Sequence, residues 1–227
     1  MISTTDRNKR IVIAYDMNLD NFQMATAIRG VLEFYGLQVT LMWLNTKQDA
    51  INFFAGHDVK ADYTIFCAHG IGKESRIWFT VVEKVPGTDF RYEEVLFNLT
   101  PDNLRDYVKT AGGTFISTAC DSGCEDFANA FLGVGYRAFI GPHVAVDVSS
   151  SVLFICGFFS NLLAGDRDIH KANYTEREAV ERAAAIQEFP DVQYNLYLPY
   201  GNNDAIICPL PNGAHLLESC ITEASVM

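Results

Sequence analysis

Residues 61–70 read Ala-Asp-Tyr-Thr-Ile-Phe-Cys-Ala-His-Gly, and residues 114–123 read Thr-Phe-Ile-Ser-Thr-Ala-Cys-Asp-Ser-Gly. Each begins as a short run of aromatic and β-branched residues and ends in small ones, the pattern of a buried strand running into a tight turn. The runs predict strands over Ala61–Ala68 and Thr114–Ala119, the second entered through Gly112-Gly113. Outward from them the same alternation repeats. Arg10–Asp16 and Gln38–Leu44 read as strands on the N-terminal side, and Arg137–Ile140 on the C-terminal side. Ala25, Ile28, Leu32 and Tyr35 recur at helical spacing with Gly36 as a stop, and a further helix ends near Gly56. Pro101–Lys109 is a helix with proline at its start. Phe127, Ala130 and Phe131 mark another, closed by Gly133 and Gly135, and Thr175–Gln187 is a charged one.

Strands alternating with helices predict a mostly parallel sheet with helices on both faces, a three-layer α/β/α sandwich. Arg76–Leu99 breaks the rhythm, with short strands at Ile77–Val82 and Val95–Leu99 around Pro86-Gly87. Two short strands, Tyr194–Tyr200 and Asp204–Cys208, flank Gly201-Asn202-Asn203 at the other end. No linker, repeat or low-complexity tract divides residues 1–227, so a single domain is expected.

Composition narrows the function. Seventeen lysines and arginines against 28 aspartates and glutamates leave a net charge of −11, which repels phosphate backbones and argues against nucleic acid as a partner. Met1–Arg10 is polar, without the apolar core of a signal peptide. Cysteines 67, 120, 124, 156, 208 and 220 are scattered, as expected of reduced thiols in a cytoplasmic protein. The 18 residues between Asp147 and Asp166 carry no charge but include Ser149, Ser150, Ser151, Ser160 and Asn161, so they predict a buried helix rather than a membrane span.

In open parallel sheets function collects at the carboxyl ends of the strands. Here the two quoted strands end in His69-Gly70 and in Cys120-Asp121-Ser122-Gly123. Adjacent parallel strands would set an imidazole beside a thiol. The free thiol has a pKa near 8.5, and a nearby imidazolium or helix N-terminus makes it a better nucleophile at neutral pH. The helix after Cys120 is expected to aim its N-terminus at the sulfur. His69 could return a proton to a leaving amine, and the N–H groups of Gly70 and Cys120 could form an oxyanion hole. Taken singly, each residue has an ordinary reading, His69 as a hydrogen-bonded strand end and Cys120 as a small buried hydrophobe. Asp121 and Asp147 are candidates for a substrate pocket selecting lysine or arginine, with a solvent-exposed acid or helix cap as the ordinary reading. His143 is a candidate polar contact at the mouth, whereas His57, His170 and His215 read as surface residues.

Other patterns are weaker. Gly70-Ile71-Gly72-Lys73-Glu74 lacks the first glycine and the Ser or Thr of a phosphate loop. Cys120, Cys124 and His69 would need a further ligand for zinc. Neither a metal nor a cofactor is expected.

The strand-His-Gly and strand-Ala-Cys-x-x-Gly boxes resemble the clan of cysteine peptidases that contains caspases, metacaspases, clostripain, gingipains, legumain and separase (clan CD). Cys120 follows His69 by 51 positions, close to the roughly 50 of caspases. The stretch Phe127–Gly141 (Phe-Ala-Asn-Ala-Phe-Leu-Gly-Val-Gly-Tyr-Arg-Ala-Phe-Ile-Gly) resembles the A-x-A-F-L-x-x-G-x-x-x-V-I-G segment of CHAT domains. Val146-Asp147 and Phe159–Gly165 continue it, and the likeness runs from about Arg10 to Ala172. It departs in Thr118, where caspases have glutamine, and in Asp121, where CHAT domains usually carry glutamate. The resemblance, closest to the CHAT and clostripain-like branches, implies a caspase-like fold. It also implies a Cys120–His69 dyad, peptide-bond cleavage through a thioester, a peptide or protein substrate, and room for a regulatory protein partner. A catalytically silent module on the same fold and a flavodoxin-like small-molecule binder are the alternatives. The Lys- and Arg-bearing segment from Arg76 to Phe90 is expected to be exposed and open to processing.

Overall fold

A computed structural model describes residues 9–56, 60–71, 76–109, 112–164, 174–185, 194–200 and 204–208. The expectations for His57, His170, His215, Cys220, Gly72–Glu74 and the turn at 201–203 lie outside these residues.

The main sheet holds seven strands. They are β1 (Arg10–Tyr15), β2 (Gln38–Trp43), β3 (Tyr63–Cys67), β7 (Thr114–Ser117), β8 (Ala138–Pro142), β9 (Tyr194–Tyr200) and β10 (Asp204–Cys208), in the order β10-β9-β8-β7-β3-β1-β2. From β2 to β8 every pairing is parallel, and β9 alone runs against its neighbours. The interior strands β3, β7 and β8 are buried throughout and mostly apolar because both faces are covered. Ile11, Ile13, Ile65, Cys67, Ile116 and Ile140 pack on one side, while Ala14, Phe66, Phe115 and Phe139 pack on the other, following the two-residue period of the strand.

The first side is covered by α1 (Leu19–Phe34), α5 (Val148–Ala164) and α6 (Glu176–Ala185), through residues such as Ile28, Leu32, Phe154, Phe158 and Val180. The second is covered by α2 (Lys47–Phe54), α3 (Pro101–Tyr107) and α4 (Glu125–Gly133), through Phe54, Leu104, Phe127 and Phe131. The chain is therefore a three-layer α/β/α sandwich on a mostly parallel sheet. The uncharged segment after Asp147 forms α5, and among the described residues no helix is long and apolar enough to cross a membrane.

The interrupted region departs most from expectation. It forms a second, antiparallel sheet of β4 (His69–Ile71), β5 (Arg76–Lys84) and β6 (Tyr92–Leu99), in the order β4-β5-β6. His69 thus opens a strand of its own instead of closing β3. The segment from Arg76 to Phe90 is also less open than expected. Ile77, Phe79 and Val81 are fully buried, and exposure is concentrated toward the turn, where Phe90 is bare.

The second sheet is moored to the carboxyl ends of the first. Val82 donates its N–H to Asn45 O at 2.7 Å, and Lys47 pairs with Glu83 at 2.9 Å. The strongest mooring is Asp16, directly after β1, whose carboxylate has no solvent exposure. Its Oδ2 accepts from the Thr80 N–H at 2.7 Å, and its Oδ1 accepts from Asn21 Nδ2 at 2.8 Å and from the Asn18 N–H at 3.1 Å. Multiple N–H donors are what a buried carboxylate needs in place of water.

Candidate active site

Strand register sets His69 and Cys120 at the same level along the sheet, but the expected meeting of imidazole and thiol is not seen, since the imidazole lies on Trp78. Tyr63 pairs with Thr114 and Phe66 with Ser117, an offset of 51 positions. The same offset carried past the strand ends sets His69 level with Cys120. The strands stay joined there, because Thr118 donates its N–H to Phe66 O at 3.1 Å and its Oγ1 to the same oxygen at 3.2 Å. Thr118 Oγ1 in turn accepts from the Ala68 N–H at 3.4 Å.

Beyond that point the two chains touch through backbone. A Cβ on Gly70 would lie 2.0 Å from Cys120 O, 2.8 Å from Cys120 N and 3.0 Å from Ala119 C. Only glycine permits this approach. Successive residues of a strand point to opposite faces. Gly70 therefore takes the side toward Cys120, and the His69 imidazole takes the side that carries Trp78. The two rings stack, centroids 4.4 Å apart and planes 23° apart. His69 Nε2 is shielded from solvent and bonded to nothing.

Cys120 sits at the centre of a tight turn, closed by the Ser122 N–H donating to Ala119 O at 3.2 Å. Asp121 has φ 57°, the left-handed region that few residues other than glycine adopt. Such conformations cost about 1–3 kcal/mol and persist where the surroundings enforce them. The enforcement is visible. Ala119 N–H and Ser122 Oγ both donate to the buried Ser117 Oγ, at 3.2 and 2.8 Å. The Asp121 N–H donates to Val144 O at 3.2 Å and the Gly123 N–H to Pro142 O at 2.8 Å. Gly123 O accepts from Tyr197 Oη at 2.6 Å and Asn195 Nδ2 at 3.0 Å, so β9 clamps the loop from the far side of β8. The Cys120 N–H takes no part in these bonds.

The thiol is half-exposed, unlike Cys67, whose full burial pushes its pKa far up. Cys120 Sγ accepts from the Val146 N–H at 3.4 Å and can donate back to Val146 O at 3.5 Å. The sulfur's hydrogen-bonding partner is thus a backbone amide and not the imidazole. The following helix contributes less than expected. α4 begins only at Glu125, and Glu125 and Asp126 occupy its first turn, so its own carboxylates offset its positive end.

The remaining candidates divide. His143 is exposed, with Nδ1 3.4 Å from Gly123 O, so it stands beside the loop. Asp121 is within the loop itself. Asp147 caps α5: Oδ1 accepts from the Ser150 N–H at 2.9 Å and Oδ2 from Ser150 Oγ at 2.6 Å. These bonds hold its carboxyl below the ordinary 3.8. Both oxygens are engaged, which is the helix-cap reading and leaves a poor anchor for a substrate cation. Val146, Trp78, Asp16, Asn195 and Tyr197 were not anticipated. The period-two run Ile77-Trp78-Phe79-Thr80-Val81 carried the signal for Trp78, and Asp16 directly follows the first apolar run. Among the described residues no three His, Cys, Asp or Glu side chains gather as a metal site.

No family model matches this chain, and no curated protein matches it. Among solved structures it is similar to a "Streptococcus pneumonia TIGR4 flavodoxin", at 16% identity over 78% of this chain and 98% of that one, with a TM-score of 0.33.

Proposed function

We propose that this protein is a caspase-like cysteine endopeptidase in which Cys120 is the nucleophile and His69 the general acid and base. The observation that carries the reading is the 51-position register of β3 and β7, which sets the two residues level, with Gly70 pressed on the Cys120 backbone. The half-exposed sulfur, the imidazole nitrogen without a partner and the rigid turn agree with it.

In this reaction Cys120 Sγ passes its proton to His69 and attacks the scissile carbonyl carbon. The Cys120 and Gly70 N–H groups hold the oxyanion. The carbon–nitrogen bond then breaks, the leaving amine takes the proton from His69, and a thioester remains. Water, deprotonated by His69, attacks the thioester and releases the acid, and the thiol recovers its proton. Peptides or proteins are the substrates, and the cytoplasm is the proposed site of action.

One observation favours a silent module on the same scaffold: Sγ bonds to Val146 and the imidazole stacks on Trp78, so no hydrogen bond joins the pair. The pH dependence of iodoacetamide labelling at Cys120, in wild type and His69→Ala, separates the readings. Rapid labelling below neutral pH that slows in His69→Ala is expected of the peptidase. Labelling indifferent to His69, together with peptide hydrolysis that survives Cys120→Ala, would overturn it.

A further inference from the structure

The second sheet has an inner and an outer face. Ile77, Phe79, Val81, Phe97 and Leu99 turn inward to the core. On the outer face His69 pairs directly with Trp78, and Trp78 directly with Asn98. The three side chains form one row across β4, β5 and β6. Each is partly exposed, yet each carries a polar atom that is shielded from solvent and has no hydrogen-bond partner: His69 Nε2, Trp78 Nε1 and Asn98 Oδ1. Asn98 Nδ2 faces Leu96 O at 3.5 Å, which leaves Oδ1 as the unmatched end of its amide. Buried polar groups are almost always paired, and three adjoining exceptions in one line call for an explanation.

We infer that this row receives the leaving-group side of an extended peptide substrate. The inference rests on the peptidase reading. His69 must deliver its proton to the leaving amine, so a row starting at His69 follows the departing segment. The chemistry of the row fits a peptide backbone. Indole Nε1 only donates and Asn98 Oδ1 only accepts, so together they match the C=O and N–H of peptide groups. The dimensions fit as well. Two strand spacings of about 4.8 Å make roughly 10 Å, the length of three extended residues at about 3.3 Å each. Beside the row, Leu96 is more than half exposed and pairs with Thr80.

The test compares two peptides with the same acyl side, a tetrapeptide chosen from a library by cleavage rate. One carries alanine amide after the scissile bond, and the other carries Ala-Ala-Ala amide. The bond broken is the same, and cleavage is followed by mass spectrometry. Wild type should favour the longer peptide by about tenfold in kcat/KM, the worth of one or two hydrogen bonds. Trp78→Phe, which keeps a stacking ring and removes the N–H, and Asn98→Ala should each pull that ratio toward one. The ratio is internal to one preparation, so a partly unfolded variant does not distort it. A wild-type ratio near one, or ratios unchanged in both variants, would overturn the inference while leaving the peptidase reading intact. Cleavage of neither peptide would overturn both.

Discussion

Gly70→Ala tests the packing on which the candidate site depends. The added methyl carbon would fall 2.0 Å from the carbonyl oxygen of Cys120 and 2.8 Å from its nitrogen. Ordinary contact lies near 3.5 Å, so one backbone must retreat by more than about 1 Å. Neither can do so freely. Gly70 is paired to Ile77 in β4–β5, and the Cys120 turn is fixed through Ser117, Val144, Pro142 and Tyr197. Overpacking usually costs about 1–3 kcal/mol, and a clash with backbone on both sides belongs at the upper end. For a domain of this size about 3 kcal/mol corresponds to a fall of roughly 6–12 °C in Tm. The assay is thermal unfolding by circular dichroism, paired with the iodoacetamide rate at Cys120. Gly30→Ala supplies a control of opposite sign. Gly30 lies in α1 with open space around the added carbon, and alanine there should gain about 0.5–1 kcal/mol. A Gly70→Ala protein that melts within about 2 °C of wild type and labels at the wild-type rate would refute the packing argument.

Three further outcomes follow from the geometry. Burial pushes the Cys156 thiol up to about 11, so at pH 8 only about one molecule in a thousand carries the thiolate. Cys120, Cys124 and Cys156 are all partly exposed and Cys67 is buried, so Cys120 and Cys124 should label before Cys67 for reasons of access and before Cys156 because of its raised pKa, and the Cys156 rate should climb about tenfold per pH unit; early labelling of Cys67 would contradict its burial. Asp16→Ala strips the acceptor from Thr80, Asn21 and Asn18 and should lose about 3 kcal/mol in urea unfolding, whereas Asp16→Asn, keeping one acceptor oxygen, should lose less. An unmoved midpoint in Asp16→Ala would remove Asp16 as a tie between the sheets. Asp147→Ala should cost about 1 kcal/mol at neutral pH through the lost α5 cap. The Asp147 carboxyl is held below 3.8 in the folded protein, so its contribution is full above that value and fades as pH falls through the lowered pKa. The gap between wild type and Asp147→Ala should therefore narrow below about pH 4, and a gap that stays constant to pH 2.5 would argue against the carboxylate as the cap.

The parallel sheet was legible because its interior strands are mostly apolar on both faces. Tyr63–Cys67, Thr114–Ser117 and Ala138–Pro142 each lie against helices on both sides, and burial on both faces writes a run of buried, mostly apolar residues. That His69 and Cys120 both come after such runs was legible for the same reason, but the side on which the imidazole falls was not: it lies with Trp78, while Gly70 faces Cys120. β4 was not. His-Gly-Ile has three residues, one of them glycine, and its strand character comes from Trp78, Ile77 and Arg76 across the pairing. Asp16 illustrates a different limit. A carboxylate after an apolar run reads as a surface group, and its burial depends on an N–H at Thr80, 64 positions away. The aim of the α4 terminus failed for a local reason. Four residues separate Cys120 from the first turn, and two of the residues in that turn are acids.

The hold of β9 on the Cys120 turn has a temporal side. Tyr197 reaches back 74 positions to Gly123. At about 5–20 residues per second, synthesis takes roughly 4–15 s to travel that distance. During this interval β3, β7 and the turn already exist as chain, but the carbonyl that β9 will clamp has no donor from it. The left-handed backbone at Asp121 is correspondingly less constrained. A ribosome-bound intermediate ending before β9 would carry the thiol on a looser turn than the finished protein does. Completion of the Cys120 turn is thus coupled to the late strands of the sheet.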